Sequence, residues 1–462
     1  MGHPLPTWDL TKAFLDYTYG RKKGDISMPR KPDAIIIGAG IIGGCIAFEL
    51  SKKGYQTLNV DKLDAAGHGS TANSCAVIRL HYSTPDGVAM AREGYFYWLD
   101  WPKYLETTDR QGLVKYVNTG CLVTKTDKNN YLKNVMTSLA ELGVEYQELT
   151  PEGMAQKFPF IDTRQYGPPK LPDHAQFGQP TGDRVAGAIF VPESGYISDP
   201  ILSTHNVQVA AEAKGAEFRF NAQVVDIRQA NGRVAGITLR DGQQIDAPIV
   251  INVAGPHSFI INRLAGVEKG MNIKTRPLRQ EVAHVPPPEG LDYEGTAPLI
   301  SDGDIGCYSR PEVGNHVLIG SEDPDCDTLE WIEDPDHYNK NFTRQCKTQV
   351  MREAQRIVGL RIPNTLQGVV DLYDCADDWI PIYDRSDLAG FYMAVGTSGN
   401  QYKNAPVAGA LMAYLIEKVE AGHDHDHDPL QYPLKHINRK LNLGSFSRLR
   451  AINRNSSFSV IG

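Results

Sequence analysis

The run Ala34-Ile35-Ile36-Ile37, continued without a break by Gly38-Ala39-Gly40-Ile41-Ile42-Gly43-Gly44, constrains this chain more than any other stretch. Four apolar, mostly β-branched residues suit a strand buried on both faces. Glycines at 38, 40 and 43 permit a tight turn and a close backbone approach to a ligand. A helical pattern then runs towards Gly54, and a second strand, Thr57-Leu58-Asn59-Val60, ends at Asp61. This is the start of a βαβ unit. A helix that begins directly after such a turn points free N–H groups, here those of Ile41 and Ile42, and its positive dipole end at a pyrophosphate. Asp61, with Lys62 beside it, stands where an acid accepts ribose hydroxyls. The pattern serves NAD and FAD equally and does not choose between them.

Length adds that one simple core is insufficient: 462 residues imply two connected domains. The formal charge of −8 gives no electrostatic reason to expect nucleic acid or an anionic membrane as partner. Residues 1–31 hold no apolar run of the kind a signal peptide needs, and the most apolar stretch, 407–416, is too short to cross a bilayer. Seven cysteines, scattered and without a CxxC pair, predict reduced thiols in a cytoplasmic protein.

Along the chain, residues 1–30 read as a helical extension. Helical spacing recurs at 88–106, 128–143, 337–358 and 405–419, while 273–320 alternates like a sheet with 286–288 as a loop. Asn231-Gly232 and Asp241-Gly242 stand where hairpin turns belong. Ile249-Val250-Ile251-Asn252-Val253 is a further buried strand, ending at Ala254-Gly255-Pro256.

Two later segments favour a flavin. Gly67-His68-Gly69-Ser70-Thr71-Ala72-Asn73-Ser74 offers hydroxyl and backbone donors to phosphates, notably at Gly69, Ser70, Thr71 and Ser74. Strand 391–395 runs into Gly396-Thr397-Ser398-Gly399, and a new helix opens at Ala405-Pro406. A helix N-terminus there would stabilise negative charge on the N1–C2=O side of a reduced flavin, a need nicotinamide lacks.

Ala76-Val77-Ile78-Arg79-Leu80-His81-Tyr82 and Gly396-Thr397-Ser398-Gly399-Asn400-Gln401-Tyr402-Lys403 carry a resemblance to the D-amino acid oxidase superfamily. Within it the chain is similar to the sarcosine oxidase and dimethylglycine dehydrogenase branch, over roughly residues 33–418. The resemblance implies an α/β fold in which a Rossmann-like FAD-binding domain is interleaved with an α+β substrate domain built on a mixed, largely antiparallel sheet. The FAD-binding parts would be 31–115, 186–270 and 366–420, the substrate parts 116–185 and 271–365, with 421–462 as a tail. It also implies oxidation of a small amino acid, above all an N-methyl one, by hydride transfer to FAD; a D-amino acid, glycine or 2-hydroxy acid dehydrogenase, or a flavin-carrying subunit passing electrons to a partner, are alternatives on the same scaffold.

Residue by residue, the resemblance places Arg79 and Lys403 as a carboxylate clamp, with Tyr82 and His284 at the amine end. It puts Gly396, Ser398, Gly399, Asn400 and Gln401 around the flavin ring, Val224 against the adenine, and Ala254 and Gly255 near the dinucleotide. Three departures matter. Gln280 stands where oxidases carry an oxygen-activating lysine, so an acceptor other than oxygen is expected. Asn73 replaces the histidine that attaches FAD in dimethylglycine dehydrogenase relatives, and Val370 falls at the cysteine attachment point of monomeric sarcosine oxidases, with Cys375 nearby. FAD is therefore expected to be non-covalent. The run His423-Asp424-His425-Asp426-His427-Asp428 reads as a solvated linker rather than a metal site, and the basic residues Arg439, Lys440, Arg448, Arg450 and Arg454 as contacts either of a docked tail, the simpler view, or of an acidic partner or neighbouring subunit, between which the sequence does not decide.

Overall fold

The computed structural model describes residues 31–461, so the helical extension expected at 1–30 lies outside the described residues. Ala34–Ile37 is the strand around which a six-stranded sheet forms. It pairs in parallel with Thr57–Val60 on one side and with Ile249–Asn252 on the other. Phe391–Val395 extends the sheet in parallel, and Ile382–Arg385 closes that edge antiparallel. Glu217–Arg219 forms the opposite edge. Three distant stretches of sequence thus meet at one sheet.

The alternation along the central strand divides the core. Ala34 and Ile36 face the helices Ile41–Lys52, Pro200–Ala213 and Ala405–Glu420, whereas Ile35 and Ile37 face the antiparallel sheet Val224–Ala230, Arg233–Leu239 and Gln244–Asp246. Asn231 and Gly232 both take positive φ, 52° and 75°, as the expected hairpin turn requires. Gly38 has φ +117°, and a Cβ there would stand 2.3 Å from the Val253 carbonyl oxygen. At Gly43 a Cβ would stand 2.3 Å from the Gly38 carbonyl oxygen, and the Asn59 amide closes the turn by donating to Gly38 O and Gly43 O.

An eight-stranded sheet forms the second layer, in the order Gln367–Ala376, Thr275–Val285, His316–Ser321, Cys307–Glu312, Leu299–Asp302, Cys121–Thr124, Ala188–Val191, Gln147–Leu149. All its pairings are antiparallel except that of Leu299–Asp302 with Cys121–Thr124. Two of its strands, Ala188–Val191 and Gln367–Ala376, fall in stretches that the sequence assigns to the FAD-binding parts. Gln367–Ala376 carries Asp371 and Asp374 and shows no clean apolar alternation; its ten-residue register with Thr275–His284 makes it a strand.

The run 423–428 is not a solvated linker. His425 is buried, Asp426 pairs with Arg448 at 2.8 Å, and Arg448 also reaches Asp384 at 3.1 Å. Arg450 meets the buried Asp378 at 2.7 Å, so the tail is docked through basic residues, one of the two readings the sequence leaves open. All seven cysteines are free, and among the described residues no helix is long and apolar enough to cross a membrane.

The last helix crosses the first so closely at Gly409 that a Cβ there would lie 2.7 Å from the Cys45 backbone. Gly409→Leu is expected to lower stability by about 3 kcal/mol or more, because two backbones must move to admit it. A thermal melt followed by circular dichroism checks this, and an unchanged midpoint would show that the crossing is loose.

Candidate active site

A cleft of about 550 Å³ runs from the C-terminal end of the six-stranded sheet to the face of the large sheet. At the first end, Ala39 N donates to Asp61 Oδ2 at 2.8 Å, and Leu63 N to Asp61 Oδ1 at 2.9 Å. The helix that starts at Ile41 has no side-chain cap at Gly40 and no acid in its first turn, so its N-terminus is left for an anion. Thr71 Oγ1 sits 3.3 Å from Ile41 N, and a Cβ on Gly40 would crowd that hydroxyl at 3.0 Å. Ile42, Gly43, Lys62, Gly69, Ser70 and Ser74 line the same end. Val224, Ala254 and Gly255 do so from the opposite wall.

Of the second turn, Gly399, Asn400, Gln401 and Lys403 line the cleft, whereas Gly396 and Ser398 do not. These two hold the turn instead. Gly396 N donates to Asp374 Oδ2 at 2.6 Å, Ser398 N to Asp374 O at 2.7 Å, and Ser398 Oγ to Gly396 O at 3.1 Å. Ser398 accepts φ +49° in doing so.

Arg79 and Lys403 both lie against the Tyr82 ring. The Arg79 guanidinium lies 4.3 Å from the centre of the Tyr82 ring, and Lys403 Nζ lies 5.2 Å from it. Lys403 Nζ donates to Tyr82 Oη at 3.0 Å and to Asn400 O at 2.8 Å. Arg79 donates to the carbonyls of His81 and Val460. Both cations are buried, and among the described residues neither has a carboxylate in ion-pair reach. Burial first, and then the repulsion of Arg79, push the Lys403 ammonium well below its usual range; burial likewise lowers Arg79. Tyr82 lies behind the two cations and does not line the cleft.

His284 does not reach the site. It shares a sheet face with Gln280 and Val282, which do line the cleft, but it stands further along the strand, among Glu312, Arg310 and His316. Gln280 is engaged: its Nε2 donates to both carboxylate oxygens of Asp323, at 2.9 and 3.1 Å. Asn73 donates to Asp371 Oδ2 at 2.6 Å, and Cys375 is buried with Leu278 and Trp379 outside the cleft.

Other residues complete the cleft. Tyr308 and Tyr373 bring their hydroxyls within 3.4 Å of each other, and Tyr308 also lies 3.4 Å from Cys75 Sγ. Asp336 reaches across from the loop after the large sheet to Lys62 and to His257, 2.9 Å from the latter. Arg279 holds that loop from beneath, donating to Asn339 O at 2.7 Å and Asn341 O at 2.6 Å. Val460 and Ile461 enter the cleft, with the Val460 carbonyl 2.8 Å from Arg79 Nη2.

The cleft therefore joins an anion-binding turn at one end to two buried cations at the other that have no ion-pair partner among the described residues. Residues 33–415 match the family model described as DAO, FAD dependent oxidoreductase. The chain belongs to that family. This FAD-dependent oxidoreductase is 24% identical to FAD-dependent oxidoreductase domain-containing protein 1 of Bos taurus, over 84% of this chain and 82% of the relative. It is 24% identical to the peroxisomal sarcosine oxidase of Homo sapiens, over 85% and 94% of the two chains. Its fold matches that of L-proline dehydrogenase from P. horikoshii with a TM-score of 0.69 at 22% identity, covering 85% of this chain and 95% of the other. The uncapped helix start, the Asp61 carboxylate and the room between the two walls fit a dinucleotide.

Deleting residues 456–462 is expected to expose bound flavin to solvent, since Val460 and Ile461 form part of the wall. Quenching of flavin fluorescence by acrylamide should rise about twofold or more, on the order of removing one covering segment. Equal quenching in both forms would place the flavin away from this wall.

Proposed function

We propose that this oxidoreductase dehydrogenates the C–N bond of a small amino acid, an N-methyl amino acid in first place, to an imine that water then hydrolyses. The observation that carries the reading is the pair Arg79 and Lys403, buried without an ion-pair partner among the described residues. Two such cations disfavour the empty site and favour a ligand that brings a carboxylate. Relatives point the same way. The chain is similar to a sarcosine oxidase, to the glycine oxidase of Geobacillus kaustophilus, and in fold to an L-proline dehydrogenase, each named for a carboxylate with an amine next to it.

FAD, when bound, supplies the hydride acceptor. The residues of this chain do the rest. Asp61, the N-terminus at Ile41 and Thr71 would hold the dinucleotide. Arg79 and Lys403 would fix the substrate carboxylate, and with it the distance of the reacting C–H from the flavin ring. Tyr82 spaces the two cations and keeps them from withdrawing into the core. The pair also repels the protonated amine and so eases the loss of its proton in the site. Gln280, tied to Asp323, offers no ammonium to the oxygen reaction, so an acceptor other than oxygen is favoured. With Asn73 bonded to Asp371 and Cys375 packed away, FAD is held without a covalent bond.

Anaerobic bleaching of the flavin by a panel of sarcosine, dimethylglycine, D-amino acids, proline and 2-hydroxy acids tests the reaction class. N-methyl amino acids should bleach it and 2-hydroxy acids should not; the reverse would sink the amine reading. Arg79→Ala and Lys403→Ala should each slow reduction at limiting substrate by about 30-fold or more, corresponding to a loss of roughly 2 kcal/mol for one charge-assisted contact. Their FAD content should equal the parent's, and reduction at the parent's rate would remove them from the site. Acid precipitation should release all the FAD to the supernatant, and yellow protein in the pellet would show a covalent link.

A further inference from the structure

Near Arg79 the cleft wall carries a further acid. Glu322 follows the strand His316–Ser321 and is 6% exposed. One of its oxygens accepts from Ser301 Oγ at 2.7 Å. The other, Oε2, has no hydrogen-bond partner among the described residues, although the side chain lines the cleft. A buried carboxylate oxygen without a donor is a cost that a ligand donor removes. The backbone is shaped to place it there. Asp323 takes φ +53°, which sends its own carboxylate to Gln280 and leaves Glu322 to the cleft.

We propose that Glu322 is the residue that meets the substrate amine, pairing with its cationic form and accepting its N–H proton. The inference rests on the amino acid reading above and extends it to the other end of the substrate. Arg79 and Lys403 on the carboxylate and Glu322 on the amine would together complement an α-amino acid zwitterion. In the proton step, an N–H bond of the bound ammonium breaks, its electron pair stays on nitrogen, and an O–H bond forms on Glu322. Nothing is oxidised or reduced in that step. The lone pair so freed then assists departure of hydride from the adjacent carbon. A 2-hydroxy acid satisfies the clamp equally well and has no cation to offer Glu322, so this residue makes the site selective for amines.

Charges around Glu322 tune it for the task. Burial raises its carboxyl to about 8, the Ser301 hydroxyl and Arg79 pull it down, and Asp302, two strands away in the sheet, pushes it up. The thiols of Cys121 and Cys307 face it as well, and both are held neutral by burial. With a folded value above the ordinary one, Glu322 is protonated below about pH 8 and becomes an acceptor above it. Flavin reduction by an amine should therefore rise with pH through that region.

The test uses the FAD-loaded protein, with sarcosine or the panel amine that bleaches the parent fastest. Methoxyacetate, the ether analogue of sarcosine, serves as an amine-free probe read by its perturbation of the flavin spectrum. Glu322→Gln should slow reduction by the amine about tenfold or more, the low end for a hydrogen bond to a charged group, and flatten the pH limb. Its affinity for methoxyacetate should equal the parent's. Ser301→Ala removes the hydroxyl that favours the charged carboxylate, so it should shift the limb to higher pH and keep the plateau rate. Parent-like rate and pH profile in Glu322→Gln would overturn the proposal, as would equal loss of amine and methoxyacetate binding, which marks a structural role. Should no amine bleach the parent, the amino acid reading itself falls, and the role of Glu322 falls with it.

Discussion

Arg79 and Lys403 are both held against one phenol ring, out of water and, among the described residues, without a carboxylate in ion-pair reach. Such an arrangement opposes folding unless the surroundings fix it. They do so from several directions. Trp98 Nε1 donates to the Lys403 carbonyl at 2.8 Å, and Gly94 on the same helix leaves the room this contact needs, since a Cβ there would lie 2.6 Å from that oxygen. Tyr402 is pinned by Ser203 at 2.6 Å. The turn before it is anchored on Asp374, which belongs to the large sheet. The cations therefore sit at the seam between the two sheets, and each sheet is needed to keep them there.

This explains which parts of the molecule could be read from the sequence. The glycine turn at 38–43 and the acid at 61 are set by local geometry, so residue type and spacing alone reveal them. Arg79 and Lys403 are legible only through the resemblance, because nothing about a lone arginine or lysine announces burial. His284 shows where such a transfer fails: the strand and its face match, but the residue stands too far along it to reach the cleft. Glu322 and Tyr373 were invisible for another reason. Their place depends on the order of strands in the large sheet, a long-range property with no signature in any one segment. The tail misled in a similar way: the acids of the run 423–428 look solvated until Arg448 arrives.

The large sheet does more than supply a wall. Through Arg279 it carries the loop whose Asp336 reaches Lys62 and His257 at the dinucleotide end. Through the turn at Asp323 it supplies the partner of Gln280 and, one residue earlier, the acid of the cleft. A change in this sheet is felt at both ends of the site.

The parallel pairing of Ala34–Ile37 with Ile249–Asn252, and of that strand with Phe391–Val395, has a consequence in time. During synthesis the glycine turn emerges early, but the wall against which Gly38 packs, and the turn that carries Lys403, emerge far later. Until then the nascent chain offers only half a cradle, with an apolar strand face uncovered. Capture of the flavin is thus a late event in the life of each molecule, and supply of the cofactor at that moment bears on how many chains reach the folded state.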